Sequence, residues 1–185
     1  MFQLNPNKKR MMTTVLIGAG MGFLIALFVL AIKLPTKIQY VEEIEVNASI
    51  KETYDAIRFQ ERLMKWSAWP SETNSQCAVK NVDGEIKAQT VFLQKGKQFG
   101  YQEITDLIEN EKVSFYLTSK APFEQDTHLH FFLKELDEKN THVMLYFDNL
   151  LKRPSHIFPH VFGIVKWTHG MHLKDLAGLK AFVEK

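Results

Sequence analysis

The sequence predicts an α+β domain, with a curved antiparallel sheet of about seven strands around a long C-terminal helix and one transmembrane helix in front of it. Three features predict it. An uncharged apolar run lies near the N-terminus, short strand-like segments joined by tight turns fill the middle, and an amphipathic stretch closes the chain.

Met11 to Ile32 runs for 22 residues without a charged side chain. At 1.5 Å rise per residue it makes about 33 Å of helix, enough to cross a hydrocarbon core of roughly 30 Å. It has no polar face, unlike a helix of a soluble core. It is longer than the apolar region of a cleaved signal peptide and no A-x-A-like site follows it, so it reads as an uncleaved anchor. Lys8, Lys9 and Arg10 precede the span, and Lys33 and Lys37 follow it. The positive-inside bias then puts the N-terminus in the cytoplasm and the C-terminal domain outside it. Gly18 and Gly22 form a GxxxG pair that would let two such helices pack as a homodimer. No strand precedes these glycines, so they do not form a phosphate-binding loop, and no cofactor is assigned.

The chain divides into a basic tail (1–10), the span (11–32), a linker (33–37) and a domain (38–185). Residues 38–46 alternate as a strand. Ser49 followed by Glu52 is a capping-box signature that opens a helix with Ile50, Tyr54 and Ile57 on one side. A second helical piece covers roughly 60–65, and Pro70 breaks any helix beyond it. Asp83-Gly84 reads as a hairpin turn between strands Cys77–Val82 and Ile86–Leu93. Further turns at Lys95-Gly96, Glu109–Lys112 and Asp137–Asn140 separate strands Gly100–Leu107, Val113–Ser119, Thr127–Leu136 and Thr141–Asn149. Connections this short require antiparallel pairing. Past Arg153-Pro154, the segment SHIFPHVFGIV is apolar but interrupted by Pro159 and Gly163, and reads as a short helix or ordered loop. Trp167, Met171, Leu176, Leu179 and Phe182 then recur at helical spacing, giving a helix of about 16–20 residues. It is the only long amphipathic element available to cover the sheet.

Composition excludes several classes. Among 185 residues, 45% are hydrophobic and the net charge is +2, so the chain is not disordered. Cys77 is the single cysteine, so there is no disulfide framework. Residues 1–37 hold five cations and no acid, which leaves 18 of the 23 cations against all 21 anions beyond them, a net of −3. The basic character belongs to the N-terminus, and a nucleic-acid partner is not expected.

The element order, the segment Met64-Lys65-Trp66-Ser67-Ala68-Trp69, the strand Gly100–Thr105 and the closing Leu176-Ala177-Gly178-Leu179-Lys180 together resemble the START/Bet v 1-like (SRPBCC) superfamily. Within it the likeness is greatest to the bacterial polyketide cyclase/dehydrase-like group. The resemblance covers residues 38–185 and implies a helix-grip fold with a cavity between sheet and C-terminal helix, commonly used for hydrophobic or amphipathic ligands. It does not imply a reaction.

On that footing the candidate cavity residues are Trp66, Trp69, Phe92, Phe99, Tyr101, Phe115, Phe131, Phe147, Trp167 and Met171, since rigid aromatics suit an apolar pocket. The expected partners are a hydrophobic small molecule or lipid and the membrane. No metal is assigned. His128 with His130, and His169 with His172, have ligand-like spacing, but the register that would bring up His142 is not fixed by sequence. His130, Tyr101, Glu103 and His172 are acid–base candidates whose spacing singles out no pair, and Cys77 has no activating histidine nearby in sequence. Three functions follow: a membrane-anchored lipid-binding module first, a cyclase-, hydrolase- or dehydratase-type enzyme using the same cavity second, and an interaction protein with a filled cavity third.

Overall fold

The computed structural model describes residues 6–119 and 126–185. The element order is α1 (Pro6–Lys33), β1 (Lys37–Val46), α2 (Ile50–Arg58), α3 (Gln60–Trp66), α4 (Trp69–Thr73), β2 (Gln76–Lys80), β3 (Gln89–Gln94), β4 (Lys97–Ile108), β5 (Lys112–Ser119), β6 (Asp126–Asp137), β7 (Asn140–Leu150), α5 (Ile157–Val161) and α6 (Ile164–Val183). The strands form one antiparallel sheet in the order β1-β7-β6-β5-β4-β3-β2. The sheet curves around α6 in the helix-grip arrangement.

α1 carries the apolar run and is long and apolar enough to cross a membrane over Arg10–Lys33. It begins at Pro6, so Lys8 and Arg10 sit within its first turns; the first five residues of the basic tail lie outside the described residues. Ideal Cβ atoms placed on Gly18 and Gly22 meet nothing within 4 Å, which leaves that face open.

The turn chemistry holds at three of the four hairpins. Lys95 (φ 51°) and Gly96 (φ 74°) form a two-residue turn with both residues left-handed, which matches the twist of the flanking strands. Asn110 takes the left-handed position after β4. The Asp137 carboxylate accepts hydrogen bonds from the Lys139 amide and the Asn140 side chain, both at 2.9 Å.

Asp83-Gly84 is the exception. It belongs to an eight-residue connection, 81–88, between β2 and β3 and makes no tight hairpin. Asp83 has another use: its carboxylate accepts from the Gln60 and Glu61 amides at 2.6 and 3.3 Å, capping α3, whose preceding residue Phe59 cannot. Ahead of Pro70 the helix does break, α3 ending at Trp66, but the proline also does something not expected of it: it occupies the first turn of the short helix α4, where a missing N–H has no consequence. Ser49 caps α2 as predicted, accepting from the Glu52 amide, while the Glu52 carboxylate turns to Arg62.

The core fills one half of the space between sheet and helices. Ala56, Ile57, Leu63, Trp66, Phe115, Phe131, Leu145, Leu176 and Leu179 are buried there. Gln60 is buried as well and ties α3 to the sheet, accepting from Thr90 Oγ1 at 2.7 Å and Gln102 Nε2 at 3.2 Å. α6 packs so closely on α3 that a Cβ on Gly178 would lie 2.2 Å from the Trp66 carbonyl oxygen.

This contact yields a prediction with a decisive sign. On helix propensity alone, Gly178→Ala would stabilise by about 1 kcal/mol. A Cβ only 2.2 Å from a backbone oxygen has to displace one of the helices, which puts the cost at the upper end of about 1–3 kcal/mol and above that gain, so the variant should melt a few degrees below the wild type in a thermal scan.

Candidate functional site

A mostly apolar, partly open cavity of ≈ 270 Å³ occupies the other half of the interior. Seven of the ten candidate residues line it: Trp69, Phe92, Phe99, Tyr101, Phe147, Trp167 and Met171. Trp66, Phe115 and Phe131 do not. They pack edge to face in the core, with Trp66 and Phe115 on either side of Phe131 at centroid distances of 6.3 and 6.1 Å. The Trp66 indole N–H is used internally, on the Ala56 carbonyl at 2.9 Å.

Register draws the boundary. Inward-facing positions alternate along each strand. On β5, Val113 and Phe115 enter the core while Leu117 lines the cavity; on β6, Phe131 and Leu133 enter the core while Thr127 lines the cavity. On β7, Val143 and Leu145 enter the core while Phe147 and Asn149 line the cavity. The α2–α3 pair plugs the end where Phe115 and Phe131 sit, and among the described residues nothing equivalent fills the end of Thr127 and Asn149. Thr73, Thr127, Asn149 and Thr168 are polar lining positions that carry no sequence signal, because a lone threonine on a strand or helix looks like any half-buried position.

At the rim, Trp69 stands between Phe92 (5.4 Å) and Trp167 (6.1 Å). Among the described residues Trp69 Nε1 is buried without a hydrogen-bond partner, which leaves one free donor beside the cavity.

Deeper in, His172 lines the cavity with its Nδ1 2.7 Å from the Tyr40 hydroxyl and its ring 4.9 Å from that of Phe147. Burial, with His169 nearby, pushes the His172 pKa down to about 4, so the ring is neutral. Burial and the Glu42 charge hold the Tyr40 phenol well above its usual range. With Tyr40 as donor, the imidazole proton sits on Nε2. His169 pairs with Glu42 (2.5 Å).

One turn along α6, Asp175 accepts from the Ala68 amide (2.6 Å) and the Ser67 hydroxyl (3.1 Å), yet burial raises its carboxyl to about 6. Asp175 therefore joins α6 to the α3–α4 elbow and lies outside the cavity lining.

The remaining acid–base candidates are elsewhere. His130 bonds Ser114 Oγ at 2.8 Å, and Glu103 accepts from Gln89 Nε2. Burial pushes the Cys77 thiol up, against nucleophilic use. His128 and His130 stack in parallel 6.2 Å apart. Among the described residues no three His, Cys, Asp or Glu side chains converge as metal ligands.

No protein-family model and no curated protein matches the sequence. Solved structures do match. The Aha1 dimer from Colwellia psychrerythraea aligns at TM-score 0.52 and 19% identity, over 80% of this chain and 96% of that one. The ginseng (Panax ginseng) major latex-like protein 151 aligns at TM-score 0.52 and 10% identity, over 82% and 100%. The di-domain ARO/CYC StfQ of the steffimycin biosynthetic pathway aligns at TM-score 0.57 and 10% identity, over 80% and 51%. The chain shares the helix-grip α+β fold of these structures. At these identities the likeness establishes the fold and leaves the function to the site.

The two buried titrating groups oppose one another. The folded state disfavours protonated His172, so this group adds stability as pH rises from about 4 to 6.5. It also disfavours ionised Asp175, so that group removes stability as pH rises from about 4 to 6. Each effect is on the order of 3 kcal/mol, and they largely cancel. Asp175→Asn keeps an acceptor for Ala68 and Ser67 but cannot ionise. Its melting temperature should exceed the wild type near neutral pH by about 2–4 °C per kcal/mol gained, and should fall more steeply on acidification toward pH ~4. Thermal scans across that range check both signs.

Proposed function

We propose that this chain is a membrane-anchored module that binds a hydrophobic or amphipathic, lipid-like small molecule in the cavity between sheet and α6. The observation that carries the reading is where the cavity lies. Lys37, the first residue of β1, pairs with Leu150, and the cavity-lining Thr127 and Asn149 pair with one another one step further in. Phe99, Ser119 and Ile164 also line the cavity from the α1 end of the fold. A bilayer that holds α1 would thus lie beside the cavity mouth, where an apolar ligand is most concentrated.

The lining supports binding over chemistry. Its titratable side chains among the described residues are His172 and Tyr101, with no carboxylate to make an acid–base pair. An unfilled cavity also favours a ligand over an interaction protein with a filled core. Neutral His172, the Trp69 N–H and Asn149 would orient one polar end of the ligand among aromatic walls. At ≈ 270 Å³ the cavity suits a small ligand or one part of a larger one. In this reading the N-terminus is cytoplasmic and the domain lies outside the cytoplasm, as three cations before the span and two after it suggest. A homodimer of anchors through Gly18 and Gly22 is compatible with it.

Native mass spectrometry of the full chain released from detergent tests the proposal. A stoichiometric small-molecule adduct is expected, identifiable after denaturing extraction. Thr168→Phe, which fills the cavity from α6, should abolish the adduct with the melting temperature kept within a few degrees. A folded wild type that stays empty and takes up nothing from a lipid mixture would overturn the reading.

A further inference from the structure

α5 presents an apolar face to the outside. Phe158, Val161 and Phe162 are 46%, 59% and 71% exposed, and the two phenylalanine rings stack in parallel 6.2 Å apart. A contiguous aromatic patch of this kind is unfavourable in water and marks a contact surface.

The position of α5 identifies the contact. Ala31 is among the last carbonyls of α1, which helix geometry leaves without intrahelical donors. Arg153 Nη1 donates to it at 3.1 Å and the fully buried His156 donates through Nε2 at 3.2 Å. His160 Nε2 donates to the Pro35 carbonyl at 2.9 Å, and the Leu151 amide to Thr36 at 2.8 Å. These bonds hold α5 level with the last turn of α1. If the run ending at Ile32 spans the hydrocarbon, with about 33 Å of helix for roughly 30 Å of core, that level is the bilayer boundary.

Charge agrees with the geometry. All 21 acids fall in two stretches, 42–148 and 175–185. Residues 1–41 and 149–174 contain none, while Lys33, Lys37, Lys152, Arg153 and Lys166 surround the junction. A basic, acid-free border around an exposed aromatic cluster complements an anionic membrane surface.

We propose that Phe158, Val161 and Phe162 insert into the headgroup–acyl boundary of an anionic bilayer as a second membrane contact beside α1. This rests on the reading of α1 as a membrane span. Two points of attachment fix the domain's tilt, which a single helix with a short linker does not. Ile164 and Trp167, which follow α5 directly and line the cavity, are thereby turned toward the lipid.

The test uses the full chain with Cys77→Ser, carrying a bimane label at one introduced cysteine. The label goes at Phe162→Cys, at Val161→Cys (which keeps both phenylalanines), at Phe23→Cys within α1, or at Glu138→Cys in the distal β6–β7 turn. Each protein is reconstituted into vesicles of phosphatidylcholine with a minority of phosphatidylglycerol, with and without acyl-chain bromination of the phosphatidylcholine. Bromination should quench the labels at 161 and 162 roughly twofold or more, with the label at 138 unaffected. If the label at 23 is quenched while those at 161 and 162 behave like that at 138, the insertion is wrong and the anchor stands. An unquenched label at 23 overturns the anchor, and this proposal with it.

Discussion

The docking of α6 against the α3–α4 elbow sets the rest of the architecture, because there two helices meet at backbone distance. Gly178 lets the Trp66 carbonyl approach the helix, and Asp175 bonds the Ala68 amide and the Ser67 hydroxyl one turn earlier. With α6 held there, the C-terminal half of the helix and α2–α3 close over the sheet, and Phe115, Phe131 and Leu145 become core. The N-terminal half of α6 projects past that plug. The sheet curves beneath it, and the described residues leave the space between open. Core and cavity are thus two ends of one interior, divided by where the helices stop.

The same docking explains the electrostatic character of the cavity. Asp175 is buried by its structural task and His172 by its position one turn along the same helix, so the charged form of each is disfavoured. Tyr40 and Phe147 pack on the His172 ring and hold its orientation. That wall of the cavity therefore offers a neutral hydrogen-bonding ring and no charge. The junction around α1 has the opposite character: exposed, basic and aromatic. The fold separates an aromatic cavity lined without a carboxylate among the described residues from a basic, aromatic rim.

Much of this was readable before folding. The uncharged run marked the apolar helix, and Ser49 and the turns at Lys95-Gly96 and Asp137–Asn140 marked their elements through local chemistry. Asp83-Gly84 and Pro70 each had a role the sequence did not show, for a common reason. Both have a local preference that is satisfied in more than one way. Asp83 went to cap a helix 23 residues earlier, and Pro70 took the first turn of a helix where its ring does no harm. Likewise the aromatics could be listed but not sorted. Phe115 and Phe147 are both inward-facing core residues, and only their height along the sheet relative to α2–α3 lets Phe147 also border the cavity.

The sequence by itself therefore determined most of the elements, the antiparallel pairing and the separation of an acid-free, apolar N-terminal segment from an acidic domain, because these follow from side-chain periodicity, turn residues and charge placement along the chain. Tertiary structure alone decided which aromatics face empty space, that His172 and Asp175 are buried, and that Arg153, His156 and His160 meet the end of α1. Those facts depend on contacts between residues more than a hundred positions apart, and nothing local in the chain encodes the register and helix ends that bring them together.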